Sequence, residues 1–235
     1  MKILFIGQDT FRITLSGGTT LLTDPWFKNN RFWRTVPPAL GPEQIGRIDY
    51  ILSSHNHLDH IDDPSLALAK KQGTIVIGSK KVAERAQKFG VSQSFGLMPG
   101  EEKKFESFSV KATPAFHPMA KDAIGFLISA DGRRIYFSGD TRPDPRLTSL
   151  LQSAGKIDLA LLQASCAKYF GKDDGLDLCT ATALALAIKP KIAVPMHFHT
   201  RFKKKSSPEE FAKILEGSGI EVLIFGLGEE KELFK

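Results

Sequence analysis

The chain has 235 residues, of which 42% are hydrophobic and 25% are charged, and its formal net charge is +6. No apolar run approaches the roughly 20 residues that span a bilayer, and the run at residues 3–6 is too short for the core of a signal peptide. Only two cysteines, Cys166 and Cys179, are present, which excludes a secreted disulfide scaffold. We therefore expect an ordinary globular protein of the cytoplasm.

The first part of the chain predicts β-strands, because short apolar or alternating runs are separated by turn residues. We expect strands at residues 2–6, 11–15 and 19–23, with Ser16-Gly17-Gly18 as the hairpin turn between the last two. A long aromatic-rich stretch follows at residues 25–46. It either packs as a cover over the sheet or forms one wall of a substrate pocket, since loops of this length often carry function.

The middle of the chain predicts two helices among several strands. One helix begins at Asp62 or Asp63 and runs to about residue 72, and a second spans residues 80–89 and ends at Gly90. Strands are expected at residues 50–54, 74–77, 102–106, 109–113, 125–129 and 134–138.

From residue 158 onward, strands and helices alternate. Strands are expected at residues 159–163, 192–195 and 221–225, and helices at residues 178–188 and 207–216. The second helix begins with a capping box at Ser207. A strand-rich half followed by a mixed half, without a linker, predicts one α+β domain over residues 1–235, built of two packed sheets with helices outside.

Five of the six histidines follow runs that predict strands. Three lie in His55-Asn56-His57-Leu58-Asp59-His60, directly after the apolar run at residues 50–54, and the others are His117 and His197. Asp140 follows a further predicted strand. A single buried histidine is usually a satisfied core residue, but four polar side chains crowded after an apolar strand need a partner that compensates for their burial. This pattern predicts a metal site at the rim of a sheet.

The candidate ligands form two groups with one bridging carboxylate: His55, His57 and His117 for one metal, Asp59, His60 and His197 for a second, and Asp140 between them. A spacing of two on an extended segment points His55 and His57 to the same side. Imidazole and carboxylate ligands without thiolate suit Zn²⁺ best, and also Mn²⁺ or Fe²⁺. Two such ions about 3.5–4 Å apart lower the pKa of a bound water and so provide a hydrolytic nucleophile.

Further candidates concern catalysis and substrate binding. Asp59, besides its place as a ligand, and His199 are the candidate catalytic residues; His199 either donates a proton to the leaving group or is an ordinary surface histidine. The candidate contacts for a small anionic substrate are Lys168, Tyr169 and Lys203. Lys203 belongs to a basic segment, which either attracts phosphate or is simply an exposed loop.

These motifs resemble the metallo-β-lactamase fold superfamily, and within it the branch of the ascorbate-6-phosphate lactonases and N-acyl-phosphatidylethanolamine phospholipase D. The segments that carry the resemblance are residues 22–27, 54–60, 137–141 and 189–197. The resemblance implies a four-layer αββα sandwich with the site at one edge and the two ligand groups given above. It also implies that Asp24 orients a ligand histidine through a hydrogen bond. One departure is Gln8-Asp9, where many members of this branch carry a histidine and a small residue.

The sequence therefore predicts a binuclear metal-dependent hydrolase that acts on an ester-type centre, a phosphodiester or a lactone, in a substrate that bears phosphate. One alternative is an RNA-processing nuclease of the same superfamily, whose binding to RNA would fall steeply with salt. Another is a metal-binding protein without turnover. The sequence leaves the oligomeric state open, a homo-oligomer included.

Overall fold

Two seven-stranded mixed sheets form the frame of the protein in a computed structural model that describes residues 1–169, 171–201 and 206–234. The first sheet contains β1 (Lys2–Gly7), β2 (Thr10–Thr14), β3 (Thr20–Thr23), β4 (Tyr50–Ser53), β5 (Ile75–Gly78), β6 (Ser94–Gly96) and β16 (Glu230–Glu232). Their order across the sheet is β16-β1-β2-β3-β4-β5-β6. The pairs from β16 to β3 are antiparallel, and those from β3 to β6 are parallel.

The second sheet repeats this division into an antiparallel and a parallel part. It contains β7 (Glu102–Lys104), β8 (Phe108–Pro114), β9 (Ile124–Ala130), β10 (Arg133–Phe137), β11 (Leu159–Gln163), β14 (Ile192–Met196) and β15 (Glu221–Val222). Their order is β15-β14-β11-β10-β9-β8-β7, with antiparallel pairs from β7 to β10 and parallel pairs from β10 to β15. Two short strands, β12 (Lys168–Tyr169) and β13 (Lys172–Asp173), form a separate hairpin.

Five helices lie in the described part of the chain: α1 (Asp63–Gln72), α2 (Lys80–Phe89), α3 (Pro145–Ser153), α4 (Leu178–Ile188) and α5 (Pro208–Ile214). Asp62 caps α1 by accepting the backbone N–H of Ser65, and Ser207 forms a capping box with Glu210 at the start of α5. In the described part of the chain, none of the helices has the length and hydrophobicity to traverse a bilayer.

Side-chain alternation along the strands assigns residues to three apolar layers. In β1, Ile3 and Phe5 belong to the core between the two sheets, whereas Leu4 and Ile6 belong to a cluster on the outer face of the first sheet. Helices α1 and α2 cover that outer face, and α3, α4 and α5 cover the outer face of the second sheet. Because successive strand residues point to opposite faces, strands buried on both sides read as continuous apolar runs.

The predicted fold class is confirmed, since helices flank two packed sheets in four layers. Helices α1, α2 and α4 have the predicted bounds, but α5 ends at Ile214 rather than at residue 216. The strand predicted at residues 221–225 was too long, because only its first two residues pair with β14. The sequence analysis missed the following elements: β6, β12, β13, β16 and α3.

Candidate metal centre

The direction of the strands brings the candidate ligands to one edge of the sandwich. In the first sheet β1, β3 and β4 run the same way, and in the second sheet β8, β10, β11 and β14 do. The loops behind these strands hold the polar residues of the site: Asp9 after β1, Asp24 after β3, His55, His57, Asp59 and His60 after β4, His117 after β8, Asp140 after β10 and His197 after β14. Both sheets therefore contribute to the site.

Three histidines form the first group of candidate ligands. One nitrogen from each of His55, His57 and His117 lies within 4.8 Å of the other two. Nε2 of His55 is 2.9 Å from Nδ1 of His57, and Nε2 of His117 is 3.3 Å from the same atom. Nδ1 of His117 is 2.7 Å from the carbonyl oxygen of Asp174, so that nitrogen donates a hydrogen bond and Nε2 is the nitrogen that faces His57. Three imidazoles that face one another in this way suit a single cation.

The second group combines two histidines with two carboxylates. Ligand atoms of Asp9, His60, Asp140 and His197 all lie within 4.8 Å of one another. Oδ2 of Asp140 is 3.3 Å from Nε2 of His60 and 3.4 Å from Nε2 of His197. Nδ1 of His197 donates to the carbonyl oxygen of Ser165 at 2.9 Å, which aims Nε2 at the carboxylates.

Asp24 is hydrogen-bonded to the ring of His60, and the resemblance implies a contact of this kind for it. Its Oδ2 is 2.7 Å from Nδ1 of His60, and its carboxylate accepts the backbone N–H and the hydroxyl of Ser54, both at 2.6 Å. The side chain is fully buried, and burial raises the pKa of Asp24 although His60 and Ser54 act in the opposite direction. The orientation of His60 thus depends on a buried carboxylate.

Asp59 lies at the mouth of the second group. Its Oδ2 is 3.8 Å from Nε2 of His60 and 3.9 Å from Nε2 of His197, and its side chain keeps 29% of its surface exposed. It is not one of the four residues whose ligand atoms all lie within 4.8 Å. The structure therefore brings six of the seven predicted ligands into two groups and leaves the seventh at their rim.

Asp9 belongs to the second group and was missed by the sequence analysis. Its Oδ2 is 3.6 Å from Nε2 of His197 and 3.7 Å from Nδ1 of His60. In the sequence, Gln8-Asp9 is recognisable only as the place where many relatives carry a histidine and a small residue. The available signal was a lone acidic residue two positions after an apolar strand that ends at the same edge as β4.

The two groups differ in electrostatics. Burial lowers the pKa of His55 and of His57, so both imidazoles are held neutral, as metal ligands must be. Burial also acts to lower the pKa of His60 and His197, but the surrounding carboxylates together outweigh it: the pKa of His60 is raised, and Asp140 and Asp9 raise that of His197 to about 10. Burial raises the pKa of Asp9 to about 7, against the opposing effect of His197. The second group therefore places two carboxylates beside two imidazoles, a donor set that a cation can bind.

The unsatisfied polar atoms of the second group fit bound metal. Several buried atoms of the described residues make no hydrogen bond: Nε2 of His60 and of His197, Oδ1 of Asp140 and both carboxylate oxygens of Asp9. Leaving such groups buried without a partner costs about 1–3 kcal/mol each, and more for charged groups. A divalent cation satisfies these lone pairs together, and nitrogen and carboxylate donors are the types that Zn²⁺, Mn²⁺ and Fe²⁺ accept.

A cleft of about 390 Å³ opens onto both groups, and His57, Asp59, His117, Asp140 and His197 form part of its lining. Most of the remaining wall is apolar and includes Trp26, Trp33, Leu58 and Met119. Trp26 is nearly buried, with the guanidinium of Arg34 stacked 4.2 Å from its ring centroid. The aromatic-rich stretch at residues 25–46 therefore both covers the sheet and forms one wall of the cleft.

Two of the remaining predicted residues, Lys168 and His199, do not line this cleft. Lys168 is exposed in β12, and Tyr169 lies beside it in the same strand. Lys203 lies outside the described residues. Nδ1 of His199 accepts the backbone N–H of Gln8 at 3.0 Å, and its ring contacts Phe5, so this placement does not support a role for His199 as a proton donor.

The sandwich and its imidazole and carboxylate groups at one edge define a metal-dependent hydrolase of the metallo-β-lactamase superfamily. The chain belongs to the beta-lactamase superfamily domain family, whose pattern matches residues 19–198. A UPF0173 metal-dependent hydrolase from Pelotomaculum thermopropionicum is 31% identical over 245 residues, covering 99% of this chain and 100% of the relative. A second such hydrolase, from Pyrococcus abyssi, is 32% identical and covers 99% and 100%.

Solved structures of similar proteins show the same fold. The metallo hydrolase Igni18 from Ignicoccus hospitalis has a TM-score of 0.81 at 23% identity, covering 100% of this chain and 99% of its own. An isothiocyanate hydrolase from Delia radicum gut bacteria has a TM-score of 0.85 at 17% identity, covering 99% of each chain. At these identities the likeness concerns the fold.

Proposed function

We propose that this protein is a binuclear hydrolase that cleaves an ester-type centre, a phosphodiester or a lactone, in a small molecule. The observation that carries the proposal is that two adjacent ligand groups face the same cleft. Two divalent ions bound there would polarise the reacting oxygen and lower the pKa of a bound water. Zn²⁺ suits the donor set best, and Mn²⁺ or Fe²⁺ also suits it.

Two carboxylates and the apolar wall of the cleft have further roles in the proposed reaction. Asp140 belongs to the second group, and its negative charge also acts to raise the pKa of His55 and His57 in the first, against the larger effect of burial. Asp59 presents a partly exposed carboxylate to the cleft, where it can hold a proton during the reaction. The apolar wall reduces the access of bulk water and strengthens these interactions.

The lining of the cleft favours a substrate with an apolar group next to the reacting centre. Trp33, Leu58 and Met119 all contribute to the wall. Lys28 is the one lysine or arginine among the described residues of the lining, and its Nζ is 3.0 Å from Oδ2 of Asp63. If the substrate has an anionic group, we expect that group to bind near Lys28 at the mouth of the cleft.

The test combines metal analysis with a panel of substrates for the wild type and two neighbouring variants. We expect two equivalents of metal in the wild type, with turnover of p-nitrophenyl esters, lactones or bis-p-nitrophenyl phosphate. His57→Ala should lose about one equivalent and at least about a hundredfold in kcat/KM. Leu58→Ala is the matched control, because it lines the cleft without offering a ligand and should keep both equivalents.

Each other result has a defined meaning. A His57→Ala variant that retains the activity of the wild type contradicts the assignment of the ligands. Turnover only of short RNAs, with binding that weakens steeply with salt, would indicate the nuclease instead. Two bound equivalents without turnover of any substrate, an isothiocyanate included in the panel, would indicate a metal-binding protein without catalysis.

A further inference from the structure

We propose that Asp9 is a ligand of the second metal, so that this ion is held by the carboxylates of Asp9 and Asp140 together with two imidazoles. The proposal rests on the metal binding that the proposed function requires. It concerns a residue that belongs to no recognised motif of the sequence, and it predicts that the two metal positions prefer different ions.

The first evidence is that the carboxylate of Asp9 is buried and lacks hydrogen bonds. Asp9 is fully buried, and neither of its carboxylate oxygens makes a hydrogen bond within the described part of the chain. A buried carboxylate without hydrogen bonds is strongly unfavourable unless a counter-charge or a metal compensates for its burial. The nearest atoms that can share such a cation are Nε2 of His197, at 3.6 Å, and the imidazole of His60.

The backbone around Asp9 is held in place by the segment that carries His197. The carbonyl oxygen of Gln8 accepts the backbone N–H of His197 at 3.3 Å, and Oε1 of Gln8 accepts that of His199 at 2.7 Å. Gln8 itself has a φ of 60°, in the left-handed region that few residues other than glycine adopt. This turn follows a β-bulge between Phe5 and Gly7 in β1.

A second anchor comes from the neighbouring strand. The hydroxyl of Thr23 donates to the carbonyl oxygen of Asp9 at 2.8 Å, and the same oxygen of Thr23 accepts the backbone N–H of Phe11. Asp9 is therefore fixed on both sides by contacts far away in sequence. A ligand held in this way is pre-organised, since little conformational freedom is lost when the metal binds.

The consequence is a difference between the two positions. The first group offers three imidazoles, whereas the second offers two imidazoles and the carboxylates of Asp9 and Asp140, with Asp59 at the rim. Oxygen ligands favour harder ions such as Mn²⁺, and imidazoles favour ions such as Zn²⁺. We expect Mn²⁺ to compete more effectively with Zn²⁺ at the second position than at the first.

The experiment titrates metal-free protein with Mn²⁺ and separately with Zn²⁺, by calorimetry and by the electron paramagnetic resonance of unbound Mn²⁺. Asp9→Asn, which keeps the size of the side chain and removes its charge, should weaken one of the two Mn²⁺ positions at least about tenfold. His57→Ala should weaken the other position. Asp122→Asn is the control, because its carboxylate lies elsewhere and accepts hydrogen bonds from Ser79 and Lys81.

A second measurement uses the wild type alone, so its result does not depend on whether the variants fold. Crystals of the wild type loaded with Mn²⁺ should show an oxygen of Asp9 at a bonding distance of about 2.0–2.3 Å from the second ion. Two equivalents bound by the wild type and by Asp9→Asn with equal affinities would overturn the role of Asp9 alone. A wild type that binds fewer than two equivalents would overturn the binuclear function itself.

Discussion

A single carboxylate, Asp24, connects the first sheet to the chemistry of the site without facing the cleft. It accepts hydrogen bonds from His60 and from the backbone and hydroxyl of Ser54, the residue directly before the histidine segment. Its φ of 33° is unusual for a residue other than glycine, which indicates that the surrounding contacts hold it there. Asp24 therefore fixes both the start of the segment and the ring of its last histidine.

We expect Asp24→Asn to weaken metal binding at the second group about 10- to 100-fold, because an amide replaces the carboxylate that orients His60. Binding at the group of His55, His57 and His117 should change much less. Metal titration of both positions, followed by activity at saturating metal, distinguishes lost affinity from lost turnover. Equal weakening of both positions would show that Asp24 acts on the whole edge rather than on His60.

Asp49 provides a test of pH-dependent stability away from the site. Its carboxylate accepts hydrogen bonds from the backbone and hydroxyl of Thr20, each at 2.9 Å, and from Arg47. Partial burial acts to raise its pKa, but these hydrogen bonds outweigh it and hold the pKa below the ordinary value of 3.8. A depressed pKa contributes stability above the ordinary pKa, and this stability is lost as the pH falls through the value in the folded protein.

We therefore expect Asp49→Asn to lower the free energy of unfolding by about 1 kcal/mol at pH 7. The difference in the free energy of unfolding between the two proteins should narrow as the pH falls below 3.8, because protonation then removes the charge of the wild-type carboxylate. Urea unfolding of both proteins at several pH values measures this difference. A gap that stays constant down to pH 3 would contradict the explanation.

At the scale of residues, the contiguous motif made most of the site predictable. His55, His57 and His60 lie so close together after an apolar strand that sequence alone indicates a metal. Asp9 carries no such pattern, because its role depends on a bulge in β1 and on contacts with residues almost 190 positions later. The hydrogen-bond acceptor of His197 could not be predicted either. It is the backbone carbonyl of Ser165, and any residue type could supply such a carbonyl.

At the scale of elements, the wall of the cleft can be tested by two adjacent aromatic residues. Trp33 lines the cleft, whereas its neighbour Phe32 does not, and the two rings contact each other edge to face at 5.2 Å. Both side chains are exposed, at 48% for Trp33 and 63% for Phe32, so replacing either should affect folding little. They form a matched pair of positions for substrate binding.

We expect Trp33→Ala to raise KM for substrates with an apolar group about tenfold, since one such contact contributes about 1–3 kcal/mol. The value of kcat should change less, because the candidate metal ligands are untouched. Phe32→Ala is the control and should leave both parameters near those of the wild type. Equal effects of the two variants on KM would remove Trp33 from the substrate site.

Predictability also differs between kinds of element. Helices α1 and α5 have capping residues that sequence makes visible, and both begin where these residues indicate. Strand β16 is short and polar, so only its pairing with β1 identifies it as a strand. Helix α3 was missed although Asp144 and Pro145 carry a usable signal, an N-cap followed by proline.

At the scale of the whole molecule, the metal centre joins the two sheets. The histidine segment after β4 belongs to the first sheet, whereas His117, Asp140 and His197 belong to loops of the second. Metal bound across this edge would stabilise the native arrangement, since the unfolded chain offers no assembled site. The fold class could be predicted from the sequence, because the order of strands and helices restricts the possible folds. The edge at which both sheets contribute candidate ligands could not, because it depends on strand directions that only the pairing of the strands reveals.

Removing metal with a chelator should therefore lower the melting temperature. A ligand present at about a thousand times its Kd stabilises by about 4 kcal/mol, which corresponds to about 8–16 °C for a protein of this size. The shift should shrink as the pH falls, because protons compete for His60, whose pKa Asp140 raises despite the opposing effect of burial. Calorimetry with and without chelator at two pH values measures this. An unchanged melting temperature would contradict the proposed link between the sheets.

The pairing of β16 with β1 has a practical consequence for producing the protein. The backbone N–H of Phe5 donates to the carbonyl oxygen of Glu229, and that of Leu233 donates to Met1, so the end of the chain covers the strand that precedes Asp9. Trimming the gene before residue 229 would leave β1 as an open edge, a surface on which strands of other molecules can add and aggregate. An expression plasmid should therefore retain this tail, and an affinity tag placed behind it needs a flexible spacer.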